Sequence, residues 1–118
     1  MKAGIVLVAH GSRDPQWARP FERIAAAVAQ KLPAVCVGLA FLEHGRSIEE
    51  TVAAVAARGA ASIRVVPVFL GEGAHVKEDL PRLVHAAARP GVSLVLDRAI
   101  GEQPHVVEAI AAAICAER

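Results

Sequence analysis

The chain has 118 residues, of which 54% are hydrophobic and 21% are charged, and its formal net charge is +1. This length predicts one domain over residues 1–118. The near-neutral charge and the low aromatic content, three Phe, one Trp and no Tyr, argue against a nucleic-acid partner. No apolar stretch reaches the roughly 18 residues that span a bilayer, so no membrane partner is predicted.

The first third of the chain predicts a strand, a helix and a second strand. Residues 2–9 form a nearly continuous apolar run, which is typical of a buried parallel strand. Apolar residues then recur at helical spacing until shortly before Pro33, which cannot continue a helix. A second apolar run over residues 34–42 predicts the next strand. The predicted helix face consists of Trp17, Phe21, Ile24, Ala25 and Val28.

The middle of the chain repeats this pattern. Ser47 followed by Glu50 predicts a capping box at the start of the second helix, and Gly59 predicts its end. Residues 62–70 predict the third strand. Proline is tolerated in the first turn of a helix, so we place Pro81 in the first turn of the third helix.

The remaining elements complete the fold prediction. Residues 92–96 predict a fourth strand and residues 103–116 a last helix. Apolar strands alternating with amphipathic helices indicate an α/β domain of three layers, with a four-stranded parallel sheet and helices on both faces. Pro67 lies inside the predicted third strand, so that strand must either be at an edge there or form a bulge.

Two histidines stand where strands are predicted to end, each in a short glycine-containing turn. His10 follows the first strand, and His75 follows the third. Ligands of parallel α/β proteins bind beyond the carboxyl ends of the strands, so these imidazoles are candidates for metal ligation or proton transfer. If the two turns are neighbours, the histidines form an incomplete site for a first-row divalent metal. Cys36 and Cys115 lie in the wrong places to complete a structural zinc site.

Other charged residues are predicted to surround the same opening. Glu43 ends the second strand and would reach this rim if that strand flanks the first, where a carboxylate can accept protons. Glu72 precedes His75 and is a further candidate. Arg13, Arg46 and Lys77 would supply positive charge, and together with the start of the third helix they favour an acidic ligand.

The remaining histidines and the cysteines have simpler interpretations. His44 is interpreted as incidental, and His85 and His105 as residues on helix surfaces. The two cysteines are interpreted as reduced thiols. Because the first apolar run stops at His10, it is too short for a signal peptide, and a cytoplasmic location is predicted.

Residues 8–15 (VAHGSRDP), 40–43 (AFLE) and 66–81 (VPVFLGEGAHVKEDLP) carry a family resemblance. In their order and spacing, which extend over nearly the whole chain, they resemble the sirohydrochlorin cobaltochelatase family of CbiX- or SirB-like class II chelatases. At this length the chain resembles the short form, a single chelatase half-domain.

The resemblance implies a lyase that inserts a divalent metal into sirohydrochlorin or a related tetrapyrrole without ATP, in cobalamin- or siroheme-type biosynthesis. The metal is a substrate, cobalt first and iron or nickel as alternatives, and no organic cofactor is implied. A short chain would form the cleft as a homodimer. The family's metal-binding histidines map onto His10 and His75, and its strand-end glutamate onto Glu43. Contacts to the tetrapyrrole are predicted at Ser12, Arg13, Arg46 and Lys77.

Two other functions remain open at the level of sequence. The first is a non-catalytic carrier of metal or tetrapyrrole on the same fold. The second is phosphoryl transfer through His10, but that chemistry usually needs an arginine clamp, and only Arg13 is close in sequence. Ser12 beside His10 does not make a convincing nucleophile and base, because no third orienting group is evident.

Overall fold

Four strands and four helices alternate in the computed structural model, which describes residues 2–116. The strands are β1 (Lys2–Ala9), β2 (Cys36–Phe41), β3 (Ala60–Pro67) and β4 (Ser93–Leu96). The helices are α1 (Arg19–Lys31), α2 (Ile48–Ala57), α3 (Ala74–Ala86) and α4 (Pro104–Cys115). Short 3₁₀ turns at Pro15–Ala18 and Ile100–Glu102 precede α1 and α4.

The strands form one parallel sheet in the order β2-β1-β3-β4. β1 therefore pairs with β2 on one side and with β3 on the other. After β2, on one side of β1, the chain crosses to the other side of β1 to form β3 and β4. Such a switch point opens a crevice at the carboxyl ends of the strands. The predicted parallel α/β sheet is confirmed.

Side chains of β1 alternate between two apolar clusters, one on each face of the sheet. Val6 and Val8 are fully buried in the larger cluster, together with side chains from α2 and α3. Ile5 and Leu7 belong to a smaller cluster, where α1 contributes partly buried side chains. The helices thus lie on both faces as predicted, with α2 and α3 opposite α1.

Pro67 lies at a position in β3 where its missing N–H removes no hydrogen bond between strands. Val68 donates its N–H to the carbonyl of Val8 on β1 at 2.8 Å, so the nitrogen of Pro67 faces the β4 side. On that side the register ends with Val65 paired to Leu96. The strand is an edge at this point, which is the first of the two alternatives predicted.

The prediction for the start of the third helix was wrong. α3 begins at Ala74, and Pro81 lies in its interior rather than in its first turn. A proline there removes the hydrogen bond to the carbonyl of Lys77. Pro81 and Lys77 are both exposed, while Leu80 and Val84 are buried and hold the helix on the sheet.

Two further segments depart from the predicted packing. Trp17 lies in the first 3₁₀ turn and is 56% exposed, so it is not part of the face that α1 turns to the sheet. α4 forms as predicted but covers neither face of the sheet. Its Val107, Ile110 and Ile114 are exposed, and Val106 is half-buried. None of the helices within residues 2–116 combines the length and apolar character that crossing a bilayer requires. Cys36 and Cys115 are both free thiols.

Candidate metal and substrate site at the rim of the sheet

Loops that follow neighbouring strands meet at one rim. His10 comes directly after β1, and Glu43 comes two residues after β2. The segment between β3 and α3 leads to His75. Because β1 lies between β2 and β3, the residues predicted at three strand ends follow three adjacent strands.

The loops after β1 and β2 are joined by main-chain hydrogen bonds. Leu42 donates its N–H to the carbonyl of Ala9 at 2.9 Å, and Glu43 donates to the carbonyl of His10 at 3.1 Å. Gly11 adopts a φ of +90°, and a Cβ at this position would lie 1.9 Å from the carbonyl oxygen of Glu43. The main chain of Glu43 is therefore packed directly against the main chain at positions 10 and 11.

The imidazole of His10 rests on an aromatic ring from the segment after β3. Its ring centroid lies 4.6 Å from that of Phe69, with an angle of 29° between the planes. Phe69 is buried, whereas His10 is exposed. The stack supports one face of the imidazole, and His10 as a whole remains exposed. No feature of the sequence had indicated this contact.

His75 lies in a helix rather than in a turn, which corrects the prediction. It is the second residue of α3, whose N-cap is Gly73. This N-cap has no side chain to bond the first N–H groups of the helix. An exposed imidazole thus stands beside free backbone donors and the positive end of a helix dipole, which is an arrangement that attracts carboxylates.

The residues after His10 form a tight, self-bonded loop. Ser12 is half-buried, and its Oγ accepts the N–H of Asp14 at 3.1 Å. Asp14 in turn accepts the N–H of Gln16 at 2.9 Å and caps the 3₁₀ turn. The hydroxyl hydrogen of Ser12 remains available to a ligand, and Arg13 is exposed.

The other two predicted cations line cavities at opposite edges of the sheet. Arg46 lines a cavity of about 480 Å³ between α1 and the outer edge of β2. Lys77 lines a different cavity of about 520 Å³, between α3 and the segment after β4. The structure therefore does not bring Arg46 and Lys77 into one cavity.

A cation that the sequence prediction missed shares the cavity of Lys77. Arg98 lines it together with Asp97, Glu72 and Glu102. Arg98 is the second residue after β4, so its position near a strand end was the signal available. Asp97 also forms a 2.6 Å ion pair with Arg64.

Next to Arg46, the predicted capping box at the start of α2 is present. Ser47 donates its N–H to the carboxylate of Glu50 at 3.0 Å, and the Ser47 hydroxyl oxygen accepts the N–H of Glu50 at 3.1 Å. The bond from the Ser47 backbone, with smaller contributions from its hydroxyl and the charge of Arg46, lowers the pKa of the Glu50 carboxyl below its ordinary value. Between positions 2 and 116 the structure contains no cluster of three or more His, Cys, Asp or Glu side chains arranged to hold a metal.

Comparison with known proteins points to one family. The CbiX family model matches residues 4–117. The sirohydrochlorin cobaltochelatase of Methanosarcina acetivorans is 37% identical over 84 residues, which are 70% of this chain and 65% of that protein. The chain thus spans slightly less than two thirds of the length of this curated relative.

Solved structures show the same fold. A CbiX protein from Marinobacter aquaeolei VT8 superposes with a TM-score of 0.82 at 30% identity, over 95% of this chain and 93% of that one. The sirohydrochlorin chelatase SirB from Bacillus subtilis subspecies spizizenii, in complex with cobalt, also gives a TM-score of 0.82 at 30% identity. The match covers 97% of this chain but 50% of SirB.

Proposed function

The chain belongs to the CbiX family, and from this premise we propose that it is a lyase that inserts a divalent metal, cobalt first, into sirohydrochlorin or a closely related tetrapyrrole, without ATP. The observation that carries the proposal is that His10 follows β1 directly and that His75 lies at the start of α3, the helix that follows the adjacent strand β3, with both residues exposed. Relatives named sirohydrochlorin cobaltochelatase support the substrate class.

The proposed reaction exchanges two protons for one metal ion. A divalent metal enters the macrocycle as two pyrrole N–H groups release their protons, so the reaction needs a metal with exchangeable ligands and a nearby base. Neutral imidazoles suit cobalt, iron and nickel, and two of them leave coordination positions open. His10 and His75 would present the metal and take up protons as it leaves, and Glu43 would pass protons to water.

Contacts to the acidic side chains of the substrate would come from the same rim. Ser12 and Arg13 lie in the loop that begins at His10, and Lys77 is the fourth residue of α3, at the end of its first turn. Arg46 would serve only a substrate that extends over the β2 side, because it lines a separate cavity.

We also propose that two copies form the complete cleft, in a reducing cytoplasm. The match to half the length of SirB supports a protein built from two such units. The free thiols Cys36 and Cys115 fit a reducing compartment.

Metallation assays test the proposal. The protein, supplied with sirohydrochlorin and cobalt(II), is expected to accelerate the change in tetrapyrrole absorption over the spontaneous rate. His10→Ala and His75→Ala should each reduce this acceleration at least 100-fold, on the scale of about 10²–10⁴ for lost acid–base chemistry, and Glu43→Gln should reduce it less. His85→Ala is the matched control, because His85 is exposed in the last turn of α3, away from the rim.

The outcomes separate the candidate functions. Binding of metal and tetrapyrrole without acceleration would identify a carrier and contradict the proposed enzyme. Wild-type rates in both rim histidine variants would remove the proposed roles of His10 and His75. Repeating the assay with iron(II) and nickel(II) ranks the metals, whose order imidazole ligands alone do not determine.

A further inference from the structure

The cavity that Lys77 shares with Arg98 lies at the β4 edge of the sheet and has a volume of about 520 Å³. Its apolar lining consists of Leu80, Pro81 and Leu96. Charged residues complete the lining: Glu72, Lys77, Asp97, Arg98 and Glu102. A cavity that combines apolar side chains with a few charged groups is typical of a site for an organic ligand.

The main chain on both sides of Arg98 is fixed by its neighbours. Asp97 donates its N–H to the carbonyl of Val65 on β3 at 2.9 Å. Ala99 is completely buried in the larger apolar cluster. Arg98 itself is exposed. Because the backbone that carries it is already ordered, this arginine can bind a ligand without the cost of ordering a loop.

The acid next to Arg98 is neutralised by a different cation. Nε and Nη2 of Arg64 both donate to Oδ2 of Asp97, at 3.0 and 2.6 Å. Across residues 2–116, neither Arg98 nor Lys77 has a carboxylate oxygen within 4.0 Å. The N–H donors of both cations are therefore available to an anionic group that enters the cavity.

The cavity adjoins the segment that supports His10. Gly101 donates its N–H to the carbonyl of Phe69 at 2.9 Å, which joins the segment after β4 to the segment after β3. Phe69 is the ring on which His10 stacks. In the sheet, β3 alone separates β4 from β1, so these two strands lie about 10 Å apart. A macrocycle held at His10 can span this separation with a flexible acid side chain and reach Arg98.

We propose that Arg98 and Lys77 together bind one carboxylate side chain of the tetrapyrrole and so fix the orientation of the macrocycle. The inference rests on the proposed function and adds Arg98 as a specificity-determining residue. Its planar guanidinium can hold a carboxylate through two parallel hydrogen bonds, whereas Lys77 contributes a point charge. Glu72 and Glu102 line the same cavity and repel a carboxylate, so they confine the bound group to the neighbourhood of the two cations.

Metal-free sirohydrochlorin, titrated into the protein and followed by its absorption, tests the subsite with charge changes of opposite sign. Arg98→Gln is expected to raise Kd about 10-fold, the scale of one lost hydrogen bond to a charged group. Arg98→Lys should raise Kd less, because the charge remains. Glu102→Gln should lower Kd about threefold, because one repulsive exposed charge is removed. In the metallation assay the same variants should shift KM with little change in kcat, since the subsite touches no reacting atom.

The matched control is Arg89→Gln, which removes an exposed arginine beyond the other end of α3 and should keep the wild-type Kd. Circular dichroism establishes that every variant is folded. A wild-type Kd in Arg98→Gln, or weaker binding in Glu102→Gln, would overturn the subsite. If the wild-type protein metallates sirohydrochlorin and Arg98→Gln does so with the same KM, the subsite fails and the proposed function stands. A wild-type protein that neither binds nor metallates sirohydrochlorin overturns both. Because Kd is measured without metal, the test of the subsite does not require turnover.

Discussion

At Gly11 the main chain leaves no room for a side chain. Its φ of +90° is unfavourable for any other residue, and a Cβ would overlap the carbonyl oxygen of Glu43. Gly11→Ala is therefore expected to lower the free energy of unfolding by about 2–3 kcal/mol, since strain and a displaced loop both contribute. The same displacement should lower the rate of the proposed metallation. Urea unfolding and the cobalt assay measure the two effects.

A second glycine separates steric overlap from backbone strain. Gly91 has a φ of +77°, but nothing lies within 4 Å of the position of its Cβ. Gly91→Ala should cost only about 1 kcal/mol and leave metallation at the wild-type rate. Equal losses of stability in the two variants would contradict the proposed contact between Gly11 and Glu43.

Single residues were predictable where their position in the chain determines their place in the fold. His10 and Glu43 were predicted at the rim because they follow apolar strands, and the structure places them there. The stacking of His10 on Phe69 could not be predicted, because it depends on how the segment after β3 returns towards β1. His44 was interpreted as incidental, yet it adopts a φ of +58°, which is uncommon without glycine.

The start of α2 is the helix boundary that the sequence predicts most directly, through the capping box of Ser47 and Glu50. The capping box lowers the pKa of Glu50 from its ordinary value of 4.5. A carboxyl with a lowered pKa in the folded state adds stability that is present above pH 4.5 and lost as the pH falls through the folded value. Glu50→Gln should therefore flatten the dependence of unfolding free energy on pH in the acid range. Ser47→Ala should cost about 1 kcal/mol at pH 7.

Urea unfolding between pH 3 and pH 7 measures this effect. Glu49→Gln is the matched control, because Glu49 is an exposed acid in the same first turn that takes no part in the capping box. An unchanged pH dependence in Glu50→Gln, or the same flattening in Glu49→Gln, would contradict the assignment.

The strands and helices were predictable in number and order. The start of α3 was predicted wrongly, because the position of Pro81 was given too much weight. Pro81 was placed in the first turn of its helix because proline is favoured there. The apolar spacing of Val76, Leu80, Leu83 and Val84 already indicated a helix that begins near Ala74. Tertiary burial of Leu80 and Val84 outweighs the cost of an interior proline.

At the scale of the whole molecule, the order of the strands accounts for the rim. The sequence left open whether the turns after the first and third strands are neighbours, and the order β2-β1-β3-β4 shows that these strands are adjacent. The exposure of α4 was not predictable. Apolar periodicity indicates that a helix has a face to bury but does not specify which surface covers it.

The proposed pairing of two copies makes thermal stability depend on protein concentration. Dissociation accompanies unfolding when two copies complete one cleft, so mass action raises the melting temperature as the concentration rises. The melting temperature is therefore expected to increase over a roughly 100-fold range of protein concentration. Calorimetry at several concentrations measures this increase. A melting temperature that is independent of concentration would contradict the proposed pairing of two copies.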